Sequence, residues 1–116
     1  MEDPVLQDDD PFAPLPATVD VLTVLQALSD PVRLRIVRQL AACDAEAGGL
    51  MCSQIDMRVS KSTGSHHLKT LHNAGITAER QHGVCKYISL RRAELDERFP
   101  GLLDAVLSAA DARAVG

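Results

Sequence analysis

Hydrophobic residues recur every three to four positions from about residue 17 to residue 42, which predicts two amphipathic helices. The apolar face of the first helix consists of Val21, Leu22, Val24, Leu25 and Leu28. Asp30 suits the N-cap of the second helix, and Pro31 suits its first position. The predicted buried side of the second helix consists of Val32, Leu34, Ile36, Val37 and Leu40.

The polar and apolar positions of residues 50–76 predict a short helix followed by a longer one. The stretch LMCSQIDM, residues 50–57, predicts the short third helix, with Arg58-Val59 as the turn that follows. Ser60 can cap a fourth helix that runs from Lys61 to Asn73. Gly75 stands where a left-handed residue ends a helix.

The fourth helix has a narrow apolar side and a wide polar one. At about 100° per residue, Gly64, Leu68 and Leu71 share one face, and the glycine lets the backbone come close to the preceding helix. The opposite face carries Ser62, His66, Lys69 and Asn73, flanked by Ser65 and Thr70. The helix is therefore predicted to keep a polar front in solvent.

The stretch ITAERQHGVCKYISL, residues 76–90, predicts a β-hairpin with its turn at His82-Gly83. The remainder predicts a helical C-terminus that breaks at Pro100-Gly101. Its apolar side consists of Leu95, Phe99, Leu102, Leu103, Val106 and Leu107. Apolar excess on the first and last helices predicts that these helices form a homodimer interface. The residues expected there are Val21, Leu25, Leu28, Leu102, Leu103, Val106 and Leu107.

The composition indicates one small domain in a reducing compartment. Residues 1–17 combine four prolines with acids and are interpreted as a flexible arm, and residues 18–111 as one folded domain that also dimerises. No apolar run approaches the roughly 20 residues that span a membrane, so no membrane association is expected. Three cysteines without a CxxC pair are typical of reduced thiols, which predicts a cytoplasmic protein.

Charge is distributed very unevenly along the chain. The net charge is −4, but residues 1–20 contain six acids and no base, whereas residues 58–92 contain seven bases against Glu79 alone. The basic block also holds all four histidines. A local basic patch is the footprint that phosphate binding needs, whatever the total charge.

The order of short helix, turn, polar-faced helix and basic hairpin predicts a winged helix-turn-helix that is mainly α with a β-hairpin wing. The stretches LSDPVRLRIVRQL, VSKSTGSHHLKTLHNAGI and HGVCKYISLRR resemble the ArsR (ArsR/SmtB) family of bacterial transcriptional regulators over about residues 18–108. The resemblance implies a homodimer that binds double-stranded operator DNA, often to repress transcription. Gly64 departs from the usual Val or Ala of that family.

The candidate DNA-binding residues lie on the fourth helix and on the wing. The family's recognition-helix positions correspond to Ser60, Lys61, Ser62, Thr63, Ser65, His66 and Lys69. On the wing, Arg80, His82 and Lys86 are expected to reach phosphates or the adjacent minor groove. His67 points toward the boundary of the buried face and is interpreted as structural.

Neither metal site that the resemblance makes usual is intact. The third-helix stretch holds Cys52 without a Cys-x-Cys partner, and the last helix has no histidine beside Asp104 and Asp111. We therefore assign no metal or cofactor. Cys43, Cys52 and Cys85 are the candidate effector thiols, for which a thiophilic metal or an oxidant is the leading candidate.

An enzyme and a protein-binding module are the two alternatives to a DNA-binding regulator. An enzyme is not expected, because the chain has no nucleophile elbow, phosphate loop, paired carboxylates or complete metal triad. The alternative is a winged-helix module that binds an acidic protein with the same surface. Salt dependence separates the two, since DNA binding falls steeply with ionic strength through counterion release.

Overall fold

The computed structural model describes residues 19–43 and 49–115. These residues form α1 (Val21–Leu28), α2 (Pro31–Ala42), β1 (Leu50–Met51), α3 (Lys61–Asn73), β2 (Thr77–His82), β3 (Cys85–Leu90), α4 (Arg92–Arg98) and α5 (Leu102–Val115). The strands make one antiparallel sheet in the order β1-β3-β2. The predicted architecture, mainly helical with a β-hairpin, is confirmed. The interpretation of residues 1–17 lies outside the described residues, and the predicted domain end at residue 111 falls within α5.

The start of α2 follows the prediction. The Oδ1 atom of Asp30 accepts hydrogen bonds from the backbone N–H groups of Val32 at 2.8 Å and Arg33 at 3.2 Å, and Pro31 occupies the first helical position. Burial raises the pKa of the Asp30 carboxyl, but these hydrogen bonds and the positive charge nearby together outweigh it and hold the pKa below its ordinary value of 3.8. The cap therefore stays ionised at neutral pH and fixes where α2 begins.

The apolar core lies where the helices cover the sheet. The core residues with no exposed surface come from α2, α3, the segment after α3, and β3: Ile36, Val37, Leu71, Ile76 and Ile88. The three positions predicted to face inward on α3, Gly64, Leu68 and Leu71, are all buried, which confirms that prediction. Gly75 ends the helix with a φ of 83° and turns the chain into β2.

The predicted third helix at residues 50–57 is wrong. Leu50 and Met51 instead form β1, pairing with Ile88 and Tyr87 of β3, and only Cys52–Gln54 forms a single 3₁₀ turn. A Cβ on Gly49 would lie 2.3 Å from the carbonyl oxygen of Ile88, so a glycine is needed where this strand reaches the sheet. Pairing with β3 satisfies backbone groups that an isolated short helix would leave unpaired. The strand conformation of Leu50 and Met51 is therefore favoured over a helix.

The hairpin turn lies one residue later than predicted. His82 pairs with Cys85, so the two loop residues are Gly83 and Val84 rather than His82 and Gly83. Gly83 has a φ of 65°, and Val84 is not among the positive-φ residues. This is the pattern of a type II′ turn, in which glycine takes the first central position.

The C-terminal break occurs where it was predicted, but part of the predicted dimer surface is wrong. Gly101, with a φ of 82°, separates α4 from α5. Leu28, Leu103 and Leu107 are mostly buried within the chain's own core, so they offer little surface to a partner chain. The apolar residues of α1 that do remain exposed are Val21, Leu22 and Leu25. Among the described residues, no helix is long and apolar enough to span a membrane.

Gly64 makes α3 fit closely against the chain that precedes it. A Cβ at this position would lie 2.5 Å from the sulfur of Met57. The close approach predicted for this glycine is thus made to a side chain of the connecting segment, not to a helix.

We predict that the effect of Gly64→Ala on stability depends on Met57. Alanine gains about 1 kcal/mol of helix propensity over glycine, but in the wild type it must displace the Met57 thioether. In a Met57→Ala background that obstacle is gone, so Gly64→Ala should raise the free energy of unfolding by about 1 kcal/mol. Urea unfolding of the four proteins measures the coupling. An equal effect of Gly64→Ala in both backgrounds would contradict the proposed contact.

Candidate nucleic-acid interface

The front of α3 is a continuous polar surface. Its exposed side chains are Lys61, Ser62, Thr63, Ser65, His66, Lys69 and Asn73. None of these side chains packs against the core, because the contacts of α3 with the core are made by Gly64, Leu68 and Leu71 on its opposite face. The exposure leaves them accessible to a ligand, while their individual roles in binding DNA stay predictions.

Two residues at the start of this helix are also engaged in capping it. The Ser60 hydroxyl accepts a hydrogen bond from the Thr63 backbone N–H at 3.3 Å and donates one to the Thr63 Oγ1 at 2.9 Å. Each hydroxyl oxygen keeps acceptor capacity for a further partner. The capping fixes the direction in which the first turn of α3 leaves the core.

Arg33 ties α3 to the end of α1, a role that the sequence had not suggested. Its Nε donates to the carbonyl of Ala27 at 2.7 Å, and its Nη2 lies 3.4 Å from the carbonyl of Gln26. Its Nη1 lies 3.2 Å from the Nδ1 of His67, which must then accept and carry its proton on Nε2. His67 is half-buried, as expected of a structural residue, whereas its neighbour His66 is exposed.

Gln39 holds the segment that leads into α3, and this too was missed from the sequence. Its side-chain amide donates to the carbonyl of Asp56 at 2.8 Å and accepts from the Asp56 backbone N–H at 2.9 Å. The Gln39 amide thereby satisfies both backbone groups of Asp56, as a residue on a neighbouring β-strand would. Two residues later Arg58 has a φ of 58°, the left-handed conformation that reverses the chain before Ser60.

The wing, defined here as β2, β3 and the Gly83-Val84 turn, carries the second group of predicted contacts. Arg80 is exposed opposite Tyr87. The ammonium of Lys86 is 3.4 Å from the Glu79 carboxylate, so part of its charge is offset before any ligand binds. The side chain of His82 lies outside the described part of the structure. Val84 forms the tip and is 97% exposed.

The three predicted effector thiols belong to different elements. Cys43 caps the end of α2, Cys52 begins the 3₁₀ turn and Cys85 begins β3, and all three are half-buried free thiols. Within residues 19–43 and 49–115, no group of three or more His, Cys, Asp or Glu side chains is arranged to hold a metal ion. A response of these thiols to a metal or an oxidant stays a prediction.

Comparison with known proteins connects this geometry with a family. A helix-turn-helix domain model matches residues 28–80. The HTH-type transcriptional regulator YceK of Bacillus subtilis is 38% identical over 85 residues, which cover 72% of this chain and 82% of YceK. The chain belongs to the ArsR family of winged helix-turn-helix transcriptional regulators. It is accordingly a DNA-binding regulator rather than an enzyme.

Two further proteins extend the ArsR-family likeness. The transcriptional repressor SdpR of Bacillus subtilis is 30% identical over 83 residues, covering 72% of this chain and 89% of SdpR. The crystal structure of the transcriptional repressor BigR from Xylella fastidiosa superposes with a TM-score of 0.52 at 24% identity, covering 68% of this chain and 85% of BigR. The latter similarity shows the shared fold.

We predict that Gln39→Leu loosens the approach to α3 and weakens DNA binding. Leucine removes both hydrogen bonds to Asp56, at a cost of about 1 kcal/mol each for a part-exposed pair. The Asp56 amide should then exchange with solvent faster, and DNA affinity should fall severalfold. Gln39→Glu is the matched control, because its carboxylate can still accept from the Asp56 N–H. An Asp56 amide equally protected in wild type and Gln39→Leu would contradict this role.

Proposed function

We propose that this ArsR-family chain is a homodimeric repressor that binds operator DNA, with α3 in the major groove and the wing on the backbone. The observation that carries the proposal is the division of α3 into a buried apolar strip and an exposed polar front. The relatives SdpR and BigR, both named as transcriptional repressors, support the direction of regulation.

The chemistry of the α3 front suits direct reading of base edges. The major groove admits one helix, and short hydroxyl side chains and imidazoles can donate to or accept from base edges there. Ser62 and His66 lie in the first two turns and face away from the core. Lys69 follows one turn later and is better placed for a phosphate, which a flexible ammonium binds as a point charge.

The wing supplies a second, sequence-tolerant contact. Arg80 presents an exposed guanidinium that suits a phosphate or a narrow minor groove. Lys86 can exchange its part-exposed partner Glu79 for a phosphate at little cost, because such ion pairs contribute little stability. Salt-sensitive affinity should therefore come from both α3 and the wing.

A dimer is supported by the apolar surface that remains on α1. Leu22 is 70% exposed and Leu25 41%, which is unusual for two leucines on one short helix. The exposed alanines Ala105 and Ala109 of α5 would allow a partner helix to approach closely. A two-fold dimer can place its two α3 helices about 34 Å apart, the length of one DNA turn.

We predict that substitutions on the α3 front have two different effects on DNA binding. Ser62→Ala and His66→Ala should change which sequence is preferred and cost about 1–3 kcal/mol at the best site. Lys69→Ala should weaken binding to all sequences similarly and reduce the salt dependence by about one phosphate contact. Fluorescence anisotropy on a selected site and on random DNA measures both effects. The α3 assignment is wrong if Ser62→Ala and His66→Ala change neither affinity nor preference.

We also predict that Leu22→Glu and Leu25→Glu dissociate the dimer. A buried, unpaired carboxylate at the proposed interface is strongly unfavourable. Val84→Glu is the matched control, because it adds the same charge at an exposed apolar residue outside that interface. Sedimentation velocity at micromolar concentration should show a dimer for wild type and Val84→Glu and a monomer for the other two. A wild-type monomer would refute the dimer.

A further inference from the structure

An open groove of about 730 Å³ lies on the chain away from the α3 front. It is bordered by α2, by the Asp56–Arg58 segment that precedes α3, and by α4 and α5. The charged side chains that line it are Arg35, Arg38, Asp56, Arg58, Arg92 and Asp104 of the described residues. Sites for small organic molecules have volumes of roughly 300–1,000 Å³, so a groove of this size can hold one.

The described lining of the groove has more positive than negative charge. Among the residues whose side chains the structure describes, four arginines line it against two aspartates. Arg92 pairs with Asp104 and also lies 3.7 Å from Asp96, and Arg58 pairs with Asp56 at 3.3 Å. Arg35, by contrast, forms no side-chain hydrogen bond or ion pair with any residue of the described chain, although it is only partly exposed.

The chemistry of the lining specifies the class of ligand. A guanidinium without a carboxylate partner offers paired donors that fit a carboxylate or phosphate group in a bidentate manner. The same groove is also lined by the methyl groups of Ala41 and Ala42 and by part of the Leu107 side chain, which favour an apolar body. Gln39 and Ser108 add neutral polar groups at the border.

We propose that this groove binds a small organic anion, a carboxylate or phosphate ester with an apolar body, and that Arg35 is its main anchor. Occupancy of the groove lowers the affinity for DNA. That second statement rests on the proposed function, whereas binding of the anion does not.

The link to DNA binding runs through the segment before α3. Asp56 and Arg58 line the groove and lie just before the cap residue Ser60. The backbone of Asp56 is held by Gln39, which also lines the groove. An anion that attracts Arg58 away from the exposed Asp56 carboxylate changes how this segment is held. It also adds negative charge near the helix that approaches phosphates, so the free form of the protein binds DNA more tightly.

Isothermal titration calorimetry of the full chain with phenyl phosphate tests the site directly. Phenyl phosphate should bind more tightly than inorganic phosphate, which lacks the apolar body, and more tightly than phenol, which lacks the anionic group. Arg35→Gln should weaken phenyl phosphate binding about tenfold. Arg98→Gln, which removes an exposed arginine outside the groove and outside the proposed DNA surface, should leave phenyl phosphate binding unchanged.

A second pair of variants separates the effect of an added negative charge in the groove from the effect of misfolding. Ala42 is exposed at the groove, so Ala42→Glu and its neutral match Ala42→Gln should both fold. Only Ala42→Glu should abolish phenyl phosphate binding. The site is refuted if wild type shows no saturable binding below about 10 mM, or if Arg35→Gln and Ala42→Glu bind as well as wild type.

Anisotropy with DNA then tests the regulatory half. Phenyl phosphate should lower the DNA affinity of wild type severalfold and leave that of Ala42→Glu unchanged. If Arg35→Gln without phenyl phosphate loses as much DNA affinity as Lys69→Ala, the groove is a phosphate contact and the effector role is overturned. If wild type binds no DNA at all, the proposed function fails while calorimetry still decides the anion site.

Discussion

The surface proposed to bind DNA depends on one constraint: only a narrow apolar strip of α3 packs against the core. Leu68 and Leu71 enter the core, and Gly64 allows the helix to settle against the sulfur of Met57. This narrow strip buries one side of a 13-residue helix, so the polar side chains on the opposite face do not pack against the core. A wider apolar face would have stabilised the helix further, but it would have taken positions that base recognition requires.

Side chains that bind backbone groups make up for the narrow strip. Arg33 joins the end of α1 to His67, and Gln39 pairs with the backbone of Asp56 just before the helix. Such bonds contribute only about 1 kcal/mol each in part-exposed positions, yet they fix direction because their donors and acceptors are oriented. We infer that α3 is held in position at its middle by packing and by the Arg33–His67 hydrogen bond, and at its approach by the hydrogen bonds of Gln39 to Asp56.

Local sequence signals predicted the elements whose causes are local. The N-cap at Asp30, the limits of α3 and the break at Gly101 each follow from residues within one turn of the feature. The third helix was predicted wrongly because Leu50 and Met51 obtain their partners from β3, more than 30 residues later. The roles of Arg33 and Gln39, and the absence of a partner for the Arg35 side chain among the described residues, depend on which segments the fold brings together. No spacing along the chain reveals them. Leu28, Leu103 and Leu107 have the same apolar pattern as the exposed α1 residues, so the sequence could not separate buried leucines from exposed ones.

Selection from random DNA tests most directly the central claim that a pair of α3 fronts reads sequence. Purified full-length protein is incubated with a randomised duplex library at near-physiological salt, and bound DNA is amplified and sequenced over several rounds. The account predicts an enriched, two-fold symmetric site with half-sites about one helical turn apart, and an affinity that falls steeply as salt rises. Binding without any enriched sequence, or an enriched site without two-fold symmetry, would contradict it.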